Sequence, residues 1–131
     1  MTTPTPIPEP ADLPGSADSL LVLRDALRRF AAERDWERFH APKSLAAALI
    51  VEAGELLEPF QWLTEAQSES LPPGTLAEVR LEMADVLLYL VRLADRLGVD
   101  LAEAAHEKMA LNAQKYPVQK ARGRSDKYDR L

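Results

Sequence analysis

Residues 45–58 read Leu45-Ala-Ala-Ala-Leu-Ile-Val-Glu52-Ala-Gly-Glu55-Leu-Leu-Glu58, and the way their charges interrupt their apolar residues decides the fold. With Glu52 at zero and 100° per residue, Ala48, Leu45, Leu63, Leu56, Leu49, Phe60 and Ala53 fall between about −40° and +100°. That is one face of a helix, and Glu52 lies inside it. Glu55 lies about 60° to one side, one turn on and within reach of the same ligand. The segment 79–89, Val79-Arg-Leu-Glu82-Met-Ala-Asp85-Val-Leu-Leu-Tyr89, repeats the device. With Glu82 at zero, Leu93, Val86, Val79, Leu97, Leu90, Met83 and Leu76 occupy about +20° to +120°, and Asp85 lies about 60° the other way.

Working outward, helical spacing of Leu20, Leu21, Leu23, Leu27, Phe30 and Ala31 predicts a first helix over Ala17–Arg34, followed by a loop from Asp35 to Pro42. A second helix is expected from an N-cap at Ser44 to at least Glu58, where Pro59 ends or kinks it. Residues 65–74, with Pro72-Pro73-Gly74, read as a connection. Thr75 is the expected cap of a third helix reaching Leu97 and closed by Gly98, and Asp100 of a fourth ending before Pro117. No stretch alternates with period two, so the expected fold is all-α, a four-helix bundle-like arrangement. Five of the ten prolines lie in the first 14 residues, so 1–15 is read as a flexible Pro-rich arm, 16–117 as the helical domain and 118–131 as a basic C-terminal tail.

Composition narrows the chemistry. At 131 residues a second catalytic domain is excluded. The absence of cysteine removes disulfides, thiolate zinc sites and thiol nucleophiles, and no apolar run is long enough for a membrane span, so a cytoplasmic setting is expected. A net charge of −5 argues against a nucleic-acid polymer as partner. From Glu52 to Asp85 there are eight acidic residues and one basic; from Lys115 to Leu131 there are six basic and two acidic. An acidic centre with a basic tail suits a cation together with a polyanionic ligand.

An ionised carboxylate in an apolar face is costly unless paired or ligated. One solution pairs Glu52 and Glu82 with Arg24 or Lys43 and leaves Glu55 and Asp85 solvated. The other, favoured by two pairs with the same offset, is a hard divalent cation, Mg²⁺ or Mn²⁺, in all-oxygen coordination.

These two motifs resemble the E-x-x-E and E-x-x-D signature of the MazG-like all-α nucleoside triphosphate pyrophosphohydrolases, with Val51 where the longer E-E-x-x-E form begins. Glu33-Arg-Asp-Trp36-Glu-Arg-Phe39-His40 and Phe60-Gln-Trp62 are similar to the dCTP pyrophosphatase branch. The resemblance runs from about Phe30 to Tyr128. It departs from the mammalian pattern at Leu27, where a histidine is usual, and at Pro59. It implies Mg²⁺-dependent cleavage of a (deoxy)nucleoside triphosphate, dCTP or a modified pyrimidine nucleotide, to monophosphate and pyrophosphate. Glu52, Glu55, Glu82 and Asp85 would hold the metal, and Glu52 and Glu55 would be the catalytic carboxylates, Glu55 being the first choice to orient water.

Five of eight aromatics flank the first acidic pair, and of these Trp36 and Trp62 are expected to contact the base, Phe30 and Phe60 the core. His40 and Tyr89 match the branch's substrate pocket. On the fourth helix Lys108, Asn112 and Lys115, followed by Tyr116, share about 60° of arc with Leu101, Ala104 and Ala105; this face is expected to point inward and clamp the triphosphate. Leu81, Leu88 and Val91 lie outside the third helix's core stripe, which predicts a homo-oligomer, a dimer or, by resemblance, a tetramer. Two other readings fit helices bearing glutamates. A di-iron bundle needs two E-x-x-H motifs projecting inward from its helices, and on the expected helices Glu103-Ala-Ala-His106 supplies one. A non-catalytic helical oligomerisation or adaptor module would use the acidic pairs as inter-subunit salt bridges.

Overall fold

The computed structural model describes residues 19–131, all of whose regular elements are helical. The Pro-rich segment 1–15 and the start of the first helix at Ala17 lie outside the described residues. Four long helices are α1 (Ser19–Glu33), α2 (Pro42–Leu57), α4 (Pro73–Leu97) and α5 (Leu101–Lys115); the short α3 (Glu65–Ser68) and α6 (Val118–Ala121) separate or follow them. The chain divides into two compact units, one ending at Gly98 and the other spanning Val99–Leu131.

In the first unit α4 packs against α2 along much of its length and against α1. Leu45, only 2% exposed, anchors α2, with Ala31 of α1 and Val79, Val91 and Ala94 of α4 completing a small core. The α2 stripe is largely as its periodicity predicts, with Ala48, Leu49, Glu52, Leu56 and Phe60 half-buried, although Ala53 and Leu63 are exposed. The α4 stripe needs correction. Val79, Val86 and Leu93 turn inward, but Leu76, Met83, Leu90 and Leu97 are exposed, while Val91 is buried and Leu88 half-buried. A 25-residue helix that meets two neighbours buries more than one stripe, so a single periodicity fit cannot describe it. Of the three residues expected on an outer face, Leu81 alone lies there.

Helix starts were misplaced for one reason. Pro42 and Pro73 are the first residues of α2 and α4, with Ala41 and Pro72 as extended N-caps, so the helices begin two residues before Ser44 and Thr75. A proline at this position loses only an N–H that the first turn leaves unpaired and brings a helix-ready φ. The connection 65–74 contains a helical turn, α3, closed by a reciprocal capping box between Thr64 and Gln67. α2 ends at Leu57, just ahead of Pro59.

The stop after α1 sets up the site. Asp35 adopts a left-handed conformation (φ 53°), with Trp36 N–H donating to Ala31 O at 2.9 Å and Asp35 N–H to Ala32 O at 3.2 Å. This Schellman pair turns the chain sharply and brings Trp36 edge-on to Phe30, ring centroids 5.7 Å apart. A 3₁₀ turn, Glu37–Phe39, then delivers His40.

In the second unit Asp100 caps α5 by accepting from Glu103 N–H at 3.0 Å, as expected. The basic segment 118–131 is not featureless: after α6 it closes with a 3₁₀ turn, Tyr128–Arg130. Tyr128 meets the Tyr116 ring at 6.2 Å and lies 5.0 Å from Lys115 Nζ.

Candidate functional site

The site is built where α2 crosses α4. Glu52 on α2 and Glu82 and Asp85 on α4 each bring a carboxylate oxygen within 4.8 Å of the others. Glu52 and Glu82 are half-buried and Asp85 exposed, so the cluster opens toward solvent on one side. Glu52 Oε2 and Glu82 Oε2 are buried with no hydrogen-bond partner. Glu55, one turn along α2, lies within hydrogen-bonding reach of both Glu52 and Glu82. Burial pushes the Glu52 carboxyl up, reinforced by its hydrogen bond to Glu55 and by the charges of Glu55, Asp85 and Glu82. Burial likewise raises Glu82, followed by the charges of Glu55, Asp85 and Glu78.

Neither cation considered as a structural partner serves these groups. Arg24 pairs with Asp25 at 3.1 Å, and among the described residues no ion pair involves Lys43, Glu52 or Glu82. Carboxylates that converge, repel one another and keep orphaned buried oxygens form an all-oxygen donor set suited to a hard divalent cation.

Beside the cluster, and sharing Asp85 with it, is a largely apolar cavity of about 190 Å³. Leu27, Phe30 and Ala31 of α1, Leu45 of α2 and Leu88 of α4 form its apolar lining. Trp36, Tyr89, His40 and Arg92 complete it. The structure thus gathers Trp36, His40 and Tyr89 around one pocket. Trp62 is not among the lining residues; it sits in the turn after α2 and is 86% exposed. Phe30, expected in the core, is exposed and lines the cavity.

Lys108, Asn112 and Lys115 are exposed on α5, as are Ala104 and Ala105, so the arc expected to face inward is open in this chain. The reason lies within their unit: its other elements are one four-residue helix and one 3₁₀ turn, too little to cover a 15-residue helix. Tyr116 is half-buried against Tyr128.

The sequence reading missed a polar network behind the cavity. Arg92, 5% exposed, donates from Nε to His40 Nδ1 at 3.0 Å and from Nη1 to Asp95 Oδ2 at 3.2 Å. Asp95 is held from the other side by Arg28, whose Nε donates to Oδ2 at 2.8 Å and whose Nη2 donates to Oδ1. The Arg28 hydrogen bonds, with the charges of Arg28, Arg92 and Arg24, hold the Asp95 carboxyl below the usual range. Burial, then the charges of Arg92 and Arg96, lower His40. The available signal was Arg92 within the apolar run Leu90-Val-Arg92-Leu-Ala94, with Asp95 three residues on.

Among the described residues, then, an all-helical unit holds a cluster of converging carboxylates, Glu52, Glu82 and Asp85, beside a largely apolar cavity with aromatic walls. Comparison with known proteins places the chain in a family. The MazG-like family model matches residues 48–131, and the chain belongs to that family. It is 51% identical over 104 residues to dCTP pyrophosphatase 1 of Mus musculus, covering 78% of this chain and 61% of the mouse protein. The corresponding Homo sapiens protein is 48% identical over 104 residues with the same coverage, and that of Bos taurus 44% identical over 123 residues, covering 90% of this chain and 73% of the bovine one. The chain thus spans about three fifths of the length of the mouse and human relatives. A crystal structure of a pyrophosphatase from Archaeoglobus fulgidus is similar with a TM-score of 0.68 at 40% identity, covering 75% of this chain and 92% of that one.

Proposed function

We propose that this chain is a divalent-cation-dependent nucleoside triphosphate pyrophosphohydrolase that cleaves between the α- and β-phosphates, with a pyrimidine deoxynucleotide such as dCTP or a modified form of it as substrate. The observation that carries the reading is that two of the three carboxylates converging beside the cavity, Glu52 and Glu82, each keep a buried oxygen, Oε2, without a hydrogen-bond partner. The similarity to dCTP pyrophosphatase 1 supports both the reaction and the substrate class.

In this reading Glu52, Glu82 and Asp85, joined by Glu55, hold Mg²⁺ or Mn²⁺. A bound divalent cation there supplies charge neutralisation at phosphate oxygens and acidifies water. Glu55, poised between Glu52 and Glu82, accepts the proton of the water that attacks the α-phosphorus as the bond to the pyrophosphate oxygen breaks. Trp36 and Tyr89 take the base into the cavity, which fixes the α-phosphate near Asp85. Trp62, Lys108, Asn112, Lys115 and Tyr116 remain candidate substrate contacts, the two lysines for the released pyrophosphate.

The exposed apolar residues Ile50, Val51 and Leu57 of α2 and Leu76, Leu81, Met83 and Leu97 of α4 favour a homo-oligomer over an isolated chain. Light scattering well above 14.6 kDa is the expected result. The activity test is a panel of canonical and modified nucleoside triphosphates with Mg²⁺, products separated by ion exchange. Monophosphate and pyrophosphate are expected; orthophosphate and a diphosphate would place the cut elsewhere and overturn the reading.

A further inference from the structure

His40 has two ring nitrogens, and the structure assigns them different tasks. Nδ1 accepts the Nε–H of Arg92 at 3.0 Å. A guanidinium N–H is always a donor, so Nδ1 must carry a lone pair, and the proton of the neutral imidazole is forced onto Nε2. Arg92 cannot swing away to relax this choice. It is buried, and its Nη1 is tied to Asp95, which is gripped in turn by Arg28. The burial and the neighbouring cations that lower the His40 pKa also disfavour a second proton. Among the described residues no group accepts from Nε2, while the ring itself lines the cavity.

We propose that His40 is a specificity-determining residue that offers a fixed Nε2–H donor to the cavity and selects a base edge carrying a hydrogen-bond acceptor, a carbonyl oxygen, with Arg92 and Asp95 as its positioning residues. The inference rests on the reading that this cavity takes the base. The remaining walls are apolar or aromatic and accept any flat ring of suitable size, so a single directional donor is what can distinguish one ring edge from another of the same shape.

The test separates this inference from the proposed hydrolysis. Long-range ¹H–¹⁵N correlation on the full chain labelled at histidine should show His40 with an unprotonated Nδ1 and a protonated Nε2. In Arg92→Met the two tautomers should mix. In calorimetric titrations with Mg²⁺, thymidine monophosphate should bind at least tenfold more tightly than its difluorotoluene isostere, which keeps the shape and replaces both carbonyls by C–F. His40→Leu should reduce that preference to threefold or less, and His40→Gln, which keeps a donor near Nε2, should retain most of it. A proton on Nδ1 in the unaltered chain overturns the inference whichever variants fold. So does an undiminished preference in His40→Leu, even if nucleotide turnover is intact. A His40-dependent preference in a chain that hydrolyses no triphosphate would instead sustain the inference and refute the hydrolase reading.

Discussion

Replacing Asp95 by alanine tests how the cavity's rear wall is held. The Asp95 side chain is 7% exposed and lies between Arg92, 6% exposed, and Arg28, 51% exposed. Truncation strands the Arg92 guanidinium in the core with His40 Nδ1 as its remaining acceptor. Removing one partner of a buried ion pair costs roughly 3–5 kcal/mol, while the Arg28 half, being solvated, adds roughly 0–1 kcal/mol. Because Arg92 keeps its bond to His40, the expected loss is at the lower end, about 3 kcal/mol. Arg92→Met removes the buried cation itself and leaves Asp95 bonded to Arg28, so the expected cost is only about 1–2 kcal/mol. The double variant should resemble Arg92→Met alone, giving a coupling energy of about 3 kcal/mol, the whole of the Asp95→Ala cost.

Urea unfolding followed by tryptophan fluorescence suits the measurement, since Trp36 and Trp62 both lie in the first unit. The pH dependence has a definite sign. A carboxyl depressed in the folded state contributes stability above its unfolded pKa of about 3.9 and loses it as pH falls through the depressed folded value. The Asp95→Ala penalty should therefore be full at pH 7 and shrink below about pH 4. A loss under about 1 kcal/mol at pH 7, or an Arg92→Met variant as damaged as Asp95→Ala, would refute the reasoning.

Other outcomes follow from the same geometry. Asp35→Gly should stabilise the first unit by about 1 kcal/mol in the same urea titration, because a left-handed conformation penalises a side chain that glycine lacks. Trp36→Ala should weaken nucleotide binding by about 1–3 kcal/mol while leaving inhibition by inorganic tripolyphosphate largely unchanged. Equal losses for both ligands would mean that Trp36 acts through the fold.

The acidic crossing was legible because charge inside an apolar stripe is a local signal: Glu52 and Glu82 announce themselves within two helical turns. The same arithmetic failed on α4, where Val91 and Leu88 turned inward and Met83 and Leu90 outward, since periodicity carries no information about how many neighbours a helix has. Pro42 and Pro73 open their helices, so the starts fall ahead of the Ser44 and Thr75 that side-chain capping alone suggests. The His40–Arg92 bond joins residues 52 positions apart and depends on the turn at Asp35, so the charge of Arg92 in an apolar run marks a buried cation without naming His40 as its partner. Trp62, singled out by its motif, stands exposed in the turn after α2 and outside the cavity lining.

The central claim is that the orphaned carboxylate oxygens of Glu52 and Glu82 are a seat for a divalent cation, and thermal unfolding of the full chain with and without Mg²⁺ tests it most directly. A ligand bound only to the folded state at a hundredfold excess over its Kd stabilises by about 2.7 kcal/mol. Mg²⁺ should raise the melting temperature of the unaltered chain and of Glu65→Gln, whose side chain is exposed on α3, and Glu52→Gln and Glu82→Gln should abolish the rise. No rise in the unaltered chain, or an equal rise in all four proteins, would contradict it.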